Sequence, residues 1–553
     1  MKHWLHHIWT QIWLTGVVGL VLLALYTSLG RQLIPLIETL NENIEEVLSL
    51  QLGLPVSIES LEGDWVWFSP VVNVNNITLG EPHNQLHAKR LEAQLDVSAS
   101  LFYRSLVFTK ITLSGVKLSV FQNENLGWQI GQFSLNNNTA EPSIESNSEK
   151  PLWLKLLTQQ GELRLLNWQV DIQAFAEEKK IVELIDLRLR NKGLQHWLDG
   201  EVRIGGELGA ILKTQFEVEG DLWNFEEHDG RGYVELEPRE WKSWLPIKDK
   251  SLQLEQLVAG GKVWIELKQG LVHNLDGYIE IPQHSITKHA ISQQGSDYRQ
   301  NIALEEGRIT FVGRRNELDW HLWFNSEAQW LSTLAPSLPK GRLSYLAGFA
   351  GGWQLALTNV DLESTSYLIE DFKLLPQNYT DYIANLQSQG VAKKIHINLI
   401  PEQDWRWGVK LDLVDTSVIG WHGIPTLENV NAKVELNAQK GRVIVRDNDT
   451  LLHFPDLYPQ GWNFKKLSTE VFWQIEDDYL RLVSPRIQAS YPHFNDQEGE
   501  LAGGFSLYLP LEKSQVEPQL NLSLGFKHTS IKFLSLSKNG FTFSKSYDSK
   551  FNQ

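Results

Sequence analysis

Glu476, Asp477 and Asp478 stand together before Tyr479, and Asp447, Asn448 and Asp449 follow Val445. Carboxylates grouped in this way could give oxygen ligands to calcium, or an acid and a base for cleaving a glycosidic bond. Neither run carries the remaining ligands of a calcium loop, and both are made of residues that hairpin turns favour, so turns are the expectation. The glycines of IGGELGA, Ile204 to Ala210, lie between strand-like segments with no helix start to receive a phosphate, and AGFAGGW, Ala347 to Trp353, reads the same way. His3 and His7 would share a helix face, with His6 beside them, but no third ligand is in view. No GxSxG elbow, HExxH zinc helix or GxxxxGK phosphate loop occurs. The chemistry-bearing residues therefore predict no enzyme, no metal and no cofactor, although a triad gathered from distant residues stays open at this level.

The surrounding elements are more informative. At 553 residues the chain exceeds a single hydrophobic core, which implies several domains or an elongated repeat. A net charge of −17 disfavours nucleic acid as a partner, and the absence of cysteine removes disulfides and thiolate metal sites. The 22 tryptophans suit broad apolar surfaces and interfaces.

Residues Ile12 to Leu29, IWLTGVVGLVLLALYTSL, carry no charge and are long enough to cross a hydrocarbon layer with help from their flanks. Trp4, Trp9 and Trp13 near one end and Tyr26 near the other are the expected membrane-interface residues. A cleavable signal peptide is the rival reading, but the apolar run is long and no small-x-small site follows it. Charge placement favours the N-terminus inside and the body outside. Beyond the span, Ile37, Leu40, Ile44, Val47 and Leu48 recur at helical spacing, with Pro35 suited to a first turn and Gly53 to a stop, which predicts a separate amphipathic helix.

From Leu54 the period changes to two. Apolar residues alternate with polar ones at Leu91, Ala93, Leu95 and Val97; at Val116, Leu118 and Val120; at Trp168, Val170 and Ile172; and at Ile185, Leu187 and Leu189. The same pattern holds at Trp405, Trp407, Val409, Leu411 and Leu413, and at Val430, Ala432, Val434 and Leu436. Each such strand has one apolar and one polar face. Lys440-Gly441 reads as a hairpin turn, and EPREWKSWLP as a short helix opened by Pro238 and closed by Pro246, with Trp241, Trp244 and Leu245 on one face. Residues 135–150 are polar enough to be a linker. The fold class that follows is mainly β: a transmembrane helix, then an elongated, repeated antiparallel sheet with few short helices.

LGLPVSIESLEGDWVWFSPVVNVNNITLG, with its tryptophans and phenylalanine before a proline, resembles the opening strands of the AsmA-like envelope proteins, most closely the long YhdP-type members. FTKITLSGVKLSVFQNENLGWQIG, GRGYVELEPREWKSWLP, VIGWHGIPTLENVNAKVELNAQKGRVIVRDND and LLHFPDLYPQGWNF are similar to later segments of that family, and the likeness runs from Met1 to about Ser535. The resemblance implies an inner-membrane anchor in a Gram-negative bacterium, with a periplasmic β-groove whose apolar face meets phospholipid acyl chains moving between inner and outer membranes. Outer-membrane or other envelope proteins would be further partners. On that footing Trp65, Trp67 and Phe68 would plug the first end of the groove, or else fill a core under the amphipathic helix, and Pro70 would protect the starting edge. Leu91, Leu95, Val116, Leu118, Trp405, Trp407, Val409, Leu411, Val434 and Leu436 would line it.

The resulting division is a cytoplasmic tip and membrane helix (1–31), an amphipathic helix (32–53), a β module (54–134), the linker (135–150), the repeated groove region (151–520) and the end of the β region with an aberrant C-terminal tail (521–553). Family members of this type are typically about twice as long, and SLSKNGFTFSKSYDSKFNQ lacks the preceding alternation, so a reading frame truncated or shifted near Ser535 is expected. Two other functions stay open at this stage: a membrane-tethered scaffold for outer-membrane protein assembly, since an apolar strand face suits another sheet as well as lipid, and an envelope hydrolase without a recognised motif.

Overall fold

The structure is a computed structural model describing residues 2–38, 45–46, 49, 55–66, 68–80, 86–104, 107–122, 128–130, 133–134, 161–173, 179–206, 209–221, 227–242, 252–291, 297–330, 340–347, 351–372, 377–401, 406–421, 424–454, 461–476, 479–492, 498–510 and 519–527. The chain is mainly β, with few short helices and one long apolar helix at its N-terminus. It divides into two compact units, residues 1–240 with 260–273, and residues 241–259 with 274–553.

The first unit starts with α1 (Lys2–Glu38). Residues Trp9–Gln32 form a window of mean hydropathy 2.0, none of it buried, so α1 is long and apolar enough to cross a membrane. The sequence reading opens a second helix at Pro35; instead α1 runs through Pro35 to Glu38. A proline there removes one backbone hydrogen bond only a turn before the helix ends. Most of residues 39–54, including the rest of the expected amphipathic helix, lie outside the described residues.

β1 (Val56–Val66) and β2 (Ser69–Leu79) form a hairpin, and β2 pairs antiparallel with β3 (Leu86–Leu95). β1 is the free edge in these pairings, where Glu45 Oε1 accepts from Ile58 N at 2.5 Å and Ser49 Oγ from Val56 N at 3.0 Å. Edge protection is thus supplied by those side chains, while Pro70 sits opposite Trp65 within the hairpin. β3 leads to α2 (Val97–Tyr103), so Val97 is helical and not the end of a strand. Asp96 terminates the alternation because its carboxylate caps the helix, accepting from Ala99 N at 2.9 Å.

β4 (Phe108–Ser114) and β5 (Lys117–Gln122) run in line along one partner, bent at Gly115, whose φ of 66° favours glycine. β6 (Trp128–Ile130) and β7 (Phe133–Ser134) are short. β8 (Glu162–Gln173) pairs in parallel with both β4 and β5, which departs from an all-antiparallel sheet. The linker 135–150 falls in this crossover and outside the described residues. β9 (Lys180–Lys192), β10 (Gln195–Ile204), β11 (Ala210–Glu219) and β12 (Asp229–Glu240) continue as an antiparallel meander. IGGELGA is the β10–β11 connection, with Ile204 opposite Ala210. Pro238 lies inside β12 and opens no helix; Trp244, Leu245 and Pro246 are outside the described residues.

β13 (Leu252–Lys268) and β14 (Leu271–Ile291) contribute to both units. The second unit continues through β15 (Asp297–Asn316), β16 (Asp319–Trp330), β17 (Lys340–Leu346) and β18 (Gly352–Asp361). Two helices that alternation did not reveal, α3 (Leu362–Phe372) and α4 (Gln377–Leu386), follow, and Asp361 caps α3 by accepting from Ser364 N at 2.9 Å. The meander resumes with β19 (Gln389–Ile400), β20 (Arg406–Val418), β21 (Thr426–Asn437), β22 (Lys440–His453), β23 (Trp462–Glu476), β24 (Tyr479–Pro492), β25 (Glu498–Pro510) and β26 (Gln519–Lys527). Each pairs antiparallel with the next.

Bulges recur at matching levels of neighbouring strands. Asn359, Gly390, Asp415, Asn429 and Asp449, on β18 to β22, all take positive φ, as do Asn76, Gly115 and Asn167 in the first unit. Asp447 and Asp449 therefore belong to a bulge inside β22, not to a turn; the Asp447 carboxylate accepts from the backbone and side-chain nitrogens of Asn431. Asn and Asp tolerate the left-handed region, so the same residue types serve bulge and turn. Glu476 and Tyr479 are the closing pair of a hairpin as expected, with Asp477 and Asp478 outside the described residues.

Candidate functional site

Register converts the alternation into continuous apolar rows. In the second unit Leu275, Gly313, Leu322, Leu343, Leu355, Ile397, Val409, Leu436, Gly441, Trp473, Leu482, Leu507 and Leu520 are successive directly opposite partners on β14 to β26. At the usual spacing between strands this row is about 60 Å long. A parallel row two residues along each strand contains Phe311, Phe324, Gly341, Leu357, Ile395, Leu411, Val434, Val443 and Val471. Each cross-strand apolar pair contributes about 0.2–1 kcal/mol, so the rows hold the sheet together as well as surfacing it.

Burial is graded across this face. Next to the bulges, Val360 (2% exposed), Ala392 (0%), Ala432 (8%) and Val445 (6%) form a buried line, with the half-buried Leu413 between the two alanines. The two rows above are half-buried. At the far rim, Trp320, Tyr345, Trp353, Leu399 and Trp407 are opposite partners in turn, and the Tyr345 and Trp353 rings meet at 5.0 Å. Substantial contacts that are not between ladder neighbours are, among the described residues, those of α1 with β1 and of α3 with α4, β18 and β19. Among the described residues the rows are therefore shaded chiefly by their own neighbours in the sheet, with Val443 packed against the buried cluster of Val430, Ala432, Val445, Leu467 and Ala489.

The first unit repeats the device. Gly63, Val72, Ala93, Ile111, Leu163, Leu189, Leu198, Phe216 and Gly232 are successive partners from β1 to β12, beside a row from Leu61 through Val74, Leu91, Leu113, Leu165 and Leu187. One end is filled: Val56, Ile58, Leu61, Val74, Ile77, Ala88 and Val116 form a core, with Leu91, Leu118 and Trp168 packed against it.

The opposite faces carry ion pairs. Arg164 and Asp186 are 2.7 Å apart, Arg188 and Asp186 2.6 Å, Arg203 and Glu183 2.7 Å. The Arg164 hydrogen bond, opposed by burial and helped by Arg188, holds the Asp186 carboxyl below the usual carboxylate range. Hydrogen bonds to Glu235 and Tyr233 push the Lys262 amine up to about 12. A cavity of about 600 Å³ in the second unit, bordered by Lys410, Glu435, Arg442 and Phe472, also involves this polar face. Such pairs are individually worth little, and their effect is to keep one face wet.

Among the residues singled out from sequence, Trp407, Val409, Leu411, Val434 and Leu436 come together on the rows of the second unit. Leu91, Val116 and Leu118 gather at the filled core of the first, and Leu95 is half-buried opposite Phe108. Trp405 and Trp67 lie outside the described residues, as does the Trp4 side chain. Trp9 and Trp13 are exposed on α1. Trp65 meets α1: its ring is edge-on to Tyr26 at 5.4 Å and occupies the space a Cβ on Gly30 would need, while most of the expected amphipathic helix lies outside the described residues. Phe68 is 49% exposed. Sequence reasoning did not find the bulge line or the rim partners Trp320, Tyr345 and Trp353. The paired signal for the bulges was an Asn or Asp breaking the alternation in adjacent strands.

No group of His, Asp and Glu with metal-holding geometry occurs among the described residues. Neither curated proteins nor solved structures give a match. The family model described as YhdP protein matches residues 1–534. One N-terminal helix able to cross a membrane, followed by a long β-sheet, fits a single-pass inner-membrane protein of the cell envelope, and the chain belongs to the YhdP protein family.

Proposed function

We propose that this protein supports phospholipid movement between the inner and outer membranes, with acyl chains lying on the apolar rows and headgroups left in water. The observation that carries this reading is the unbroken line from Leu275 to Leu520, apolar or glycine at every strand. A soluble core needs no such continuity over about 60 Å, whereas a path for a hydrocarbon chain does. The N-terminus then lies in the cytoplasm, α1 in the inner membrane and the strands of both units in the periplasm, where the chain contributes to outer-membrane integrity, acts on no substrate covalently, and meets outer-membrane or other envelope proteins.

The test is site-specific photocrosslinking in living cells. A photoreactive residue at Ile397 or Val409, on the row, is expected to give phospholipid adducts by mass spectrometry; one at Asn398 or Lys410, on the other face, is not. Equal lipid labelling of both faces, or none on the row, counts against the proposal. Protein adducts on the row in place of lipid would favour a tethered scaffold for outer-membrane protein assembly.

A further inference from the structure

The β1–β2 hairpin is fastened to the membrane helix below that helix's polar end. The Tyr26 hydroxyl donates to the Phe68 carbonyl at 3.0 Å, and Trp65 fills the hollow at Gly30. Tyr26 lies about 9 Å inside Gln32, the last residue of the apolar window. The window itself is about 36 Å long, some 6 Å more than a hydrocarbon core, so a centred span places Tyr26 about 6 Å below the hydrocarbon boundary. The hairpin tip it holds stands at that depth. Val66 and Phe68 are exposed there, at 41% and 49%.

A second observation comes from the neighbouring loop. Val71, just past the tip on β2, pairs with Gln94 on β3, which leads through Asp96 directly into α2. On α2, Leu101 is 75% exposed and Phe102 81%, more than Leu20 in the middle of the span at 67%. Two adjacent loops at one end of one sheet thus offer large apolar side chains to the surroundings, and one of them is pinned at acyl depth.

We infer that the β1–β2 tip and α2 form a membrane foot, with Val66, Phe68, Leu101 and Phe102 inserted in the leaflet from which α1 emerges. The occupant of this surface is that leaflet's acyl chains. The first unit consequently begins within the lipid and not above it on a tether. This goes beyond the proposed transport and holds whether or not any lipid travels further.

Absence of cysteine makes the test clean. Phe68→Cys and Phe102→Cys in the full chain, each labelled with an environment-sensitive fluorophore and reconstituted in phosphatidylethanolamine–phosphatidylglycerol vesicles, should be quenched by lipids spin-labelled on the acyl chain and shielded from aqueous iodide. Ser119→Cys, exposed on β5 at the other end of that sheet, should show the reverse. Solubilising the vesicles should abolish the difference, which separates insertion from lipid carried on the rows. Iodide access at Phe68→Cys and Phe102→Cys equal to that at Ser119→Cys overturns the foot, and shielding at Phe68→Cys alone overturns the part assigned to α2.

Discussion

The Trp473 indole lies on Gly441 of the neighbouring strand, so close that a Cβ at 441 would fall 2.0 Å from Cζ2 of the ring. The two residues are direct partners on the long apolar row. Gly441 is thus not a turn residue: the turn falls just before it, where Asn437 Oδ1 accepts from the backbone of Gln439 and Lys440, both at 2.9 Å. Its role is to let a large ring lie flat along the face.

Gly441→Ala must displace that ring, and overpacking of this kind costs about 1–3 kcal/mol. A Cβ at Gly408 would meet only the Leu436 carbonyl oxygen, at 3.9 Å, so Gly408→Ala should cost little. Urea unfolding of the two variants side by side measures the difference, which a loosely packed row would erase.

Charges on the half-buried rows and in the buried line should behave differently. Trp407→Asp and Leu411→Asp are expected to remain folded and lose bound lipid, since both residues are half-buried on the proposed acyl path. Val430→Asp, at a site 2% exposed, should unfold the chain, because an unpaired buried carboxylate costs several kcal/mol. Circular dichroism with lipid extraction distinguishes the cases; unfolding of all three would place Trp407 and Leu411 in a filled core.

His196 is buried, with Nδ1 2.8 Å from Asn191 Oδ1 and Nε2 3.0 Å from the Gly220 carbonyl. Burial lowers its pKa below the ordinary 6.5. Above 6.5 neither folded nor unfolded chain carries the proton, so nothing is lost. As pH falls below 6.5 the unfolded chain is protonated first and stability declines, by at most about 1.4 kcal/mol per pH unit for one group. Denaturation midpoints at pH 7.5 and 5.5 should separate further in the parent than in His196→Gln. Asp186, whose pKa is lowered, acts in a different window: its contribution is present above the carboxylate range and fades only as pH falls through about 4 and below.

Asp447 ties the β22 bulge to β21 through Asn431, with 2.8 Å to Nδ2. Asp447→Ala leaves that backbone and side-chain nitrogen without their acceptor and should cost about 1–3 kcal/mol, with Asp447→Asn losing less because one oxygen remains. Asp477→Asn with Asp478→Asn, at the β23–β24 turn, should leave stability and function intact. Loss of function in that double variant would revive a metal or catalytic role.

Much of this architecture was legible in the chain. A span without charges, strands of period two and turns rich in Gly, Asn and Asp are local facts: hydrophobic transfer and backbone sterics act on a residue wherever its partners are. Alternation assigned Val409 and Leu411 to one face and Lys410 to the other without any knowledge of neighbours. It could not say that Val409 would meet both Ile397 and Leu436, or that Val116 would be sealed in a filled core, because register is a relation between strands distant in sequence. Asp447 and Asp449 looked like a turn since the left-handed backbone they tolerate serves a bulge equally, and only the paired strand shows which is formed. Trp65 likewise declared its bulk but not its partner. Tertiary contact alone set it against Gly30 and Tyr26, where the missing Cβ of one residue and the ring of the other make room for an indole at the edge of the membrane.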